Sequence, residues 1–137
     1  METFLRQFPI VFQSLNIGFL QTLRLFAVTL LGAVPLGLVI MFGSMSKFKP
    51  LSILTNLFVW VIRGTPLMIQ LLIMFFVIFT SARDGVPVAM LCFGINSGAY
   101  VAEIIRGGIM AVDAGQMEAG RSLGFNFVQT MWYIVIP

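Results

Sequence analysis

The sequence predicts an all-α, multi-pass transmembrane protein with three spans, a partial fourth span and a helical loop in the cytoplasm. Hydrophobic residues make up 59% of the 137 residues and charged residues only 9%, whereas a soluble domain of this size needs far more charge on its surface. The mean hydropathy of +1.02 agrees with long apolar runs that can cross a bilayer. We interpret residues 1–137 as one transmembrane domain, incomplete at its C-terminal end, with the cytoplasmic loop at residues 106–129.

The first predicted span is the uncharged run from Leu25 to Ser46. It contains 22 residues, and about 20 apolar residues are enough to cross ~30 Å of hydrocarbon as a helix. We expect the helix to begin before Arg24. Lys47 and Lys49 follow in a short basic turn, and basic turns favour the cytoplasmic side of a membrane. The N-terminus is therefore predicted to lie outside.

The second apolar run is too long for one straight span. Leu51 to Ala82 contains 32 residues, which as one helix reach roughly 48 Å. A break is predicted because Pro66 cannot donate a hydrogen bond to the carbonyl of Ile62. We expect residues 51–62 to lie at or rise from the inner interface, residues 64–81 to span, and Arg83 to turn the chain outside. The predicted break or anchor consists of Arg63, Gly64, Thr65 and Pro66.

The third predicted span, Val86 to Ala102, has two different faces. Asn96, Tyr100 and Glu103 are spaced so that they share one polar side of a helix. The other side carries small residues four apart, a spacing that allows close packing between membrane helices. These small residues are Gly94, Gly98 and Ala102.

The loop that follows this span carries its own helix signals. Asp113 and Gln116 have the spacing of an N-cap residue and its reciprocal partner, and Gly124 is a preferred residue just after a helix. Asn126 and Gln129 repeat the N-terminal pattern. The sequence therefore predicts two short helices that local interactions alone can stabilise.

The last apolar run predicts only the start of a fourth span. Phe127 to Ile136 contains ten residues, or roughly 15 Å of helix, which is about half of a bilayer core. We therefore expect the chain to be truncated relative to a stable membrane architecture.

Several classes of function are disfavoured by composition. The sequence has no histidine and a single cysteine, Cys92, so neither a metal site nor a common general base is predicted. The only lysines are Lys47 and Lys49, and no Gly-rich loop ends in Lys-Ser/Thr to bind nucleotide phosphates. The net charge of +3 is spread over loop positions and does not indicate a nucleic-acid surface. We predict no catalytic residue, and any ATP chemistry has to come from a partner.

The loop resembles the cytoplasmic E-A-A-x3-G-x9-I-x-L-P motif of ABC-transporter permease subunits. Residues 118–124 read EAGRSLG, and IVIP follows nine residues later at 134–137. Gly120 stands where the motif usually has Ala, and Ile136 where it usually has Leu. Upstream, RGTPLMIQ at 63–70 and the segment at 99–124 resemble the branch that imports polar amino acids such as histidine, glutamine, arginine and lysine. The resemblance covers nearly the whole chain from about Gly18 onward.

The resemblance implies a transport subunit, not an enzyme, in the bacterial cytoplasmic membrane. Two permease subunits, identical or different, form the pore, and two cytoplasmic ATPase subunits bind ATP and Mg. An extracytoplasmic binding protein delivers the amino acid. The permease docks on the ATPase through the loop, and Gly124 reverses the chain. The docking residues expected from the motif are Glu118, Ala119, Gly120, Leu123, Gly124 and the neighbouring Phe125.

The residues are compatible with more than one role in three respects. Arg63 is either an interface anchor at the helix break or a solute contact. Glu103 either pairs with Arg106 on its own helix or lines the translocation path with Asn96 and Tyr100 and contacts a zwitterionic amino acid. The whole chain is alternatively a small channel or secondary carrier without an ATPase, or a truncated subunit that does not transport.

Overall fold

The computed structural model describes residues 2–81 and 84–137, with side chains from Phe8 onward. The described residues form helices and short turns without a strand, which confirms the all-α class. The predicted turn residue Arg83 and its neighbour Ala82 lie outside the described residues. The helices are α1 (Glu2–Ser44), α2 (Lys49–Gly64), α3 (Leu67–Ile73) with a π-helical continuation (Met74–Ile78), α4 (Gly85–Ala111), α5 (Ala114–Ser122), and α6 (Phe127–Thr130) with a π-helical continuation (Met131–Val135).

Helix α1 is much longer than the predicted first span. It contains 43 residues and includes Pro9 and Pro35 without a break, and Arg24 lies well inside it. At 1.5 Å per residue its length is roughly 65 Å, about twice the hydrocarbon thickness. The part from Phe8 to Ser44 is apolar enough to cross a membrane. The prediction of an apolar span is confirmed, and so is the expectation that the helix begins before Arg24, because a single arginine does not interrupt the backbone hydrogen bonds.

Helices α2 and α3 are bent against each other by 105°, and we call this bend the elbow. Thr65 is extended, with φ −109° and ψ 139°, as expected for a residue that precedes proline. The predicted break is therefore confirmed, and it lies at Thr65 and Pro66. Gly64 is still the last residue of α2, and a Cβ added to it meets nothing within 4 Å, so the bend does not require a glycine there.

The predicted span over residues 64–81 is wrong in its extent. Helix α3 and its π-helical continuation together cover Leu67 to Ile78, because Phe79 leaves helical geometry with φ −108° and ψ 45°. Twelve helical residues reach roughly 18 Å, which is too short to cross a bilayer alone. A crossing at this place needs both arms of the elbow.

Helix α4 begins and ends outside the predicted limits. Asp84 caps its N-terminus by accepting a hydrogen bond from the backbone N–H of Val86 (3.0 Å). The helix then runs for 27 residues and ends at Ala111, where Val112 becomes extended. Residues 106–111 therefore belong to α4, and the predicted loop at 106–129 is shorter at its start. Gly107 and Gly108 do not stop the helix, since glycine costs only about 1 kcal/mol relative to alanine.

Helices α1 and α4 pack closely through glycines. A Cβ on Gly37 would lie 2.6 Å from Val101 Cγ1, and a Cβ on Gly98 would lie 2.9 Å from Leu36 Cδ2. The predicted packing face of α4 is confirmed for Gly98 and Ala102, both buried. It is wrong for Gly94, where an added Cβ meets open space.

The two helices run in the same direction. Leu36 and Gly37 contact α4 near Gly98, and Ile40 and Met41 pack further along with Ala102 in the small apolar core. Val59 of α2 completes this core. Among the described residues, α1 and α4 are the two single helices long and apolar enough to cross a membrane, and the elbow makes a third crossing if its arms form one span.

Candidate functional site

Charged side chains meet where the end of α2 lies against α4. Arg106 binds the Glu103 carboxylate with two hydrogen bonds, Nε to Oε1 at 2.9 Å and NH2 to Oε2 at 3.0 Å. The predicted pair on α4 is therefore confirmed. Arg63 approaches the same carboxylate, with 3.1 Å between its Nη1 and Oε2 of Glu103. One carboxylate thus lies between two guanidinium groups.

Arg63 also contacts an aromatic ring of α4. Its guanidinium carbon lies 5.2 Å from the centre of the Tyr100 ring, a distance at which the ring face attracts a cation. Together with the ion pair to Glu103, this contact fixes the C-terminal end of α2 to α4. The two side chains are only partly buried, because that of Arg63 is 40% exposed and that of Glu103 is 21% exposed.

A second polar group lies on the other side of the elbow. Gln70 Nε2 donates to the carbonyl of Ile62 (2.6 Å) and to Thr65 Oγ1 (2.7 Å), and Gln70 Oε1 accepts from Asn96 Nδ2 (2.9 Å). Thr65 Oγ1 itself donates to the carbonyl of Val61 (2.9 Å). The predicted polar residues Asn96, Tyr100 and Glu103 therefore share one face of α4, and this face lies along the elbow.

Gln70 is the functional candidate that the sequence predictions missed. The sequence does contain a signal for this position, because Gln70 is the one polar residue between Leu67 and Phe79. A polar side chain in an apolar membrane segment needs a partner and often marks a functional position. Its partner Asn96 is 26 residues away along the chain, so the contact depends on how α3 and α4 pack.

An apolar cleft lies inside the elbow and reaches α4. Its volume is about 340 Å³, and its polar lining residues are Thr65 and Gln70. A cleft of this size lies within the usual range for small-molecule sites, about 300 to 1,000 Å³. Its apolar walls include Phe58, Ile62, Ile69, Ile73, Cys92 and Ile95.

Helix α5 is capped at its N-terminus by Asp113. The Asp113 carboxylate accepts from the backbone N–H of Gly115 (2.7 Å), and Gln116 donates its backbone N–H to the carbonyl of Asp113. The predicted N-cap is confirmed, but the predicted reciprocal contact with the Gln116 side chain is wrong. The Asp113 carboxylate binds the backbone N–H of the second helical residue, and an N-cap side chain stabilises a helix by bonding either the second or the third N–H.

The C-terminus of α5 has the predicted glycine. Gly124 has φ +82°, a conformation that other residues rarely adopt. Its N–H donates to the carbonyl of Arg121 (2.9 Å), and the N–H of Phe125 donates to that of Gly120 (3.0 Å). These two bonds form a Schellman motif. The predicted second cap is also confirmed, because Asn126 and Gln129 form a complete capping box at α6.

The predicted docking residues separate onto two sides of α5. Glu118, Ala119 and Gly124 are exposed, and Leu123 is 76% exposed. Gly120 is buried, and a Cβ placed on it would lie 2.7 Å from Ile134 Cδ1. The expectation that Gly120 forms part of the apolar contact with a partner is therefore corrected, since its side of α5 already packs on its own chain.

Phe125 is half-buried on that same inner side. Its ring centre lies 6.1 Å from that of Tyr133. This ring contact holds Phe125 against the π-helical segment. Phe125 therefore does not present a fully exposed side chain to a docking partner.

These features define a helical integral membrane protein with a locally capped helix between apolar segments. The chain belongs to the family of binding-protein-dependent transport system inner membrane components, whose model matches residues 33–137. Proteins of this family are permease subunits of ABC transporters and are not themselves enzymes.

Curated relatives and a solved structure agree with this family. The chain is 36% identical over 122 residues to the L-cystine transport system permease protein TcyB of Bacillus subtilis, covering 88% of the chain and 52% of the relative. It is 34% identical over 134 residues to the arginine transport system permease protein ArtQ of the same organism, covering 96% and 59%. A crystal structure of an amino acid ABC transporter with histidines matches at 40% identity with a TM-score of 0.80, covering 93% of the chain and 61% of that structure's chain. The chain thus spans just over half the length of the curated relatives it matches.

Proposed function

We propose that this chain forms part of the permease subunit of an ATP-driven importer of amino acids. Relatives named for cystine and arginine transport support the substrate class. Family membership does not favour a channel or carrier that works without an ATPase. The partners are a second permease subunit, cytoplasmic ATPase subunits that bind ATP and Mg, and an extracytoplasmic amino-acid-binding protein.

The observation that carries this proposal is the rigid helix α5. It is capped by Asp113 at one end and closed by the Schellman motif at Gly124, and Gly120 holds it against its own chain. Its outer side presents one acid, Glu118, beside the apolar Ala119 and Leu123. A helix fixed at both ends transmits a displacement as a rigid body, so this side is suited to a groove on an ATPase subunit.

The direction of the helices supports a cytoplasmic α5. Because α1 and α4 run in parallel, their C-terminal ends lie on the same side of the membrane, and the elbow between them has to return the chain across it. The elbow is then a broken span. The basic turn at Lys47 and the helix α5 consequently share the cytoplasmic side, and the N-terminus lies outside.

The polar face of α4 is the proposed lining of the translocation path. Asn96 contacts Gln70, which lines the cleft of the elbow. Arg63 of α2 contacts both Tyr100 and Glu103. A zwitterionic amino acid carries an ammonium and a carboxylate, and Glu103 and Arg63 are complementary to these two charges. The ion pair between Arg63 and Glu103 has to open for such a contact. The ammonium of the solute then takes the place of Arg63 at Glu103, and its carboxylate takes the place of Glu103 at Arg63.

Charge reversal on α5 tests the proposed function. The full-length subunit, its ATPase and its binding protein are reconstituted in proteoliposomes, and ATP-dependent uptake of radiolabelled amino acids is measured. Glu118→Arg is expected to lower uptake and the amount of ATPase that copurifies. The matched control is Lys47→Glu, a reversal of equal size in the α1–α2 turn, which is expected to keep both. Undiminished uptake and copurification with Glu118→Arg would contradict coupling through α5.

A further inference from the structure

The proline of the elbow leaves a carbonyl without its usual partner. In a continuous helix the N–H of residue 66 would donate to the carbonyl of Ile62, but Pro66 has no N–H. Such an orphan carbonyl is costly where water is scarce. In this chain Gln70 Nε2 lies 2.6 Å from that same oxygen. The side chain one turn beyond the proline thus replaces the missing backbone donor.

The other end of the Gln70 amide faces a different helix. Gln70 Oε1 accepts from Asn96 Nδ2 at 2.9 Å, and Gln70 Nε2 also contacts Thr65 Oγ1 at 2.7 Å and the Thr65 carbonyl at 3.2 Å. The nitrogen can only face the carbonyls, so the oxygen has to face Asn96. This set of contacts specifies glutamine, because glutamate has no donor and asparagine is one methylene shorter.

We propose that Gln70 is a positioning residue that locks the angle of the elbow and fixes the elbow to the polar face of α4. Arg63 ties the end of α2 to Glu103, and Gln70 ties the start of α3 to Asn96. The two arms of the elbow are thereby attached to α4 on either side of the bend. A movement of α4 is consequently transmitted to the elbow and its cleft.

The first test measures geometry and does not depend on transport. Spin labels are placed at Trp60 on α2 and Val77 beyond α3, both exposed, in the full-length subunit with Cys92 replaced by Ala. Gln70→Met keeps the length of the side chain and removes its donors and acceptor. It is expected to broaden or shift the distance between the labels. The matched control is Gln21→Met, at an exposed glutamine of α1, which is expected to leave the distance unchanged.

The second test separates the two ends of the Gln70 amide. Asn96→Ala removes the tie to α4 and leaves the bond to the Ile62 carbonyl. It is expected to keep the distance between labels at Trp60 and Val77 and to broaden that between labels at Met68 and Ile104. If Gln70→Met does not assemble, this variant alone decides whether α3 is held through Asn96.

Uptake gives the third readout, and this arm rests on the proposed function. Gln70→Met and Asn96→Ala are each expected to lower the uptake rate about tenfold, and the double variant is expected to be no slower than the slower single variant, because both break one connection. Unchanged label distances in both variants would overturn the proposal. A double variant whose loss of uptake equals the product of the two single losses would overturn it as well. If the wild-type complex shows no uptake of amino acids, the proposed function fails while the label distances still decide the role of Gln70.

Discussion

At the scale of single residues, Glu103 is the centre of the charged group between α2 and α4. It neutralises two guanidinium groups, of Arg63 and Arg106, so its loss leaves two cations close together. Glu103→Gln is expected to lower the free energy of unfolding by about 1 kcal/mol, the upper end for partly exposed pairs. The measurement is the thermal melting of the purified full-length subunit without its ATPase, with Glu118→Gln as a matched loss of one exposed acid. A melting temperature equal to that of the control would show that the pairs do not stabilise the fold.

The close contact of Gly120 with Ile134 predicts which side chains can replace this glycine. The nearest atom to an added Cβ is the end of the flexible Ile134 side chain, at 2.7 Å. Gly120→Ala is therefore expected to be tolerated, with up to about 1 kcal/mol gained in helix propensity. Gly120→Val has a branched side chain that Ile134 cannot avoid, and it is expected to loosen α5. Limited proteolysis of the loop distinguishes the two variants, and equal protection of both would contradict the close contact.

At the scale of elements, α5 depends on its caps more than on its sequence, because only nine residues are helical and isolated helices of that length are marginal. Asp113→Ala is expected to cost about 1 kcal/mol of helix stability. Hydrogen exchange of the α5 amides is then expected to rise about fivefold, because exchange through local opening depends exponentially on the opening free energy and about 1.4 kcal/mol corresponds to a factor of ten. Asp84→Ala, which removes the cap of the much longer α4, serves as the control and is expected to leave α5 exchange unchanged.

The elements show which features local sequence determines. Pro66 predicts the break because it acts on the residue before it and on the carbonyl four residues earlier. The caps at Asp113 and Asn126 were predictable for a similar reason, because each bonds a backbone N–H only two or three residues away. The predicted limits of α4 were wrong because the glycines at 107 and 108 weaken a helix without ending it. The angle of the elbow and the bond between Gln70 and Asn96 were not predictable, since both depend on contacts between residues far apart in the sequence.

At the scale of the whole molecule, the parallel packing of α1 and α4 carries the proposed topology. The small residues at Gly98 and Ala102 predicted that α4 has a packing face, but not which helix would occupy it or in which direction. Gly37 meets that face so closely that there is no room for a side chain between the helices. This contact supports the proposal that the elbow crosses the membrane, since the elbow joins the end of one parallel helix to the start of the other.

The topology predicts which turns can be labelled from which side of the membrane. Single cysteines replace Lys47, Ser81 and Ser122 in full-length protein with Cys92 changed to Ala, and whole cells are treated with a membrane-impermeant maleimide. Ser81→Cys is expected to react from outside, and Lys47→Cys and Ser122→Cys only after the membrane is opened, because parallel helices place both on one side, which we propose is the cytoplasmic one. If Lys47→Cys and Ser122→Cys reacted from opposite sides, the elbow would enter and leave the membrane on one side. The ends of α1 and α4 would then lie on different sides, which is incompatible with their parallel packing.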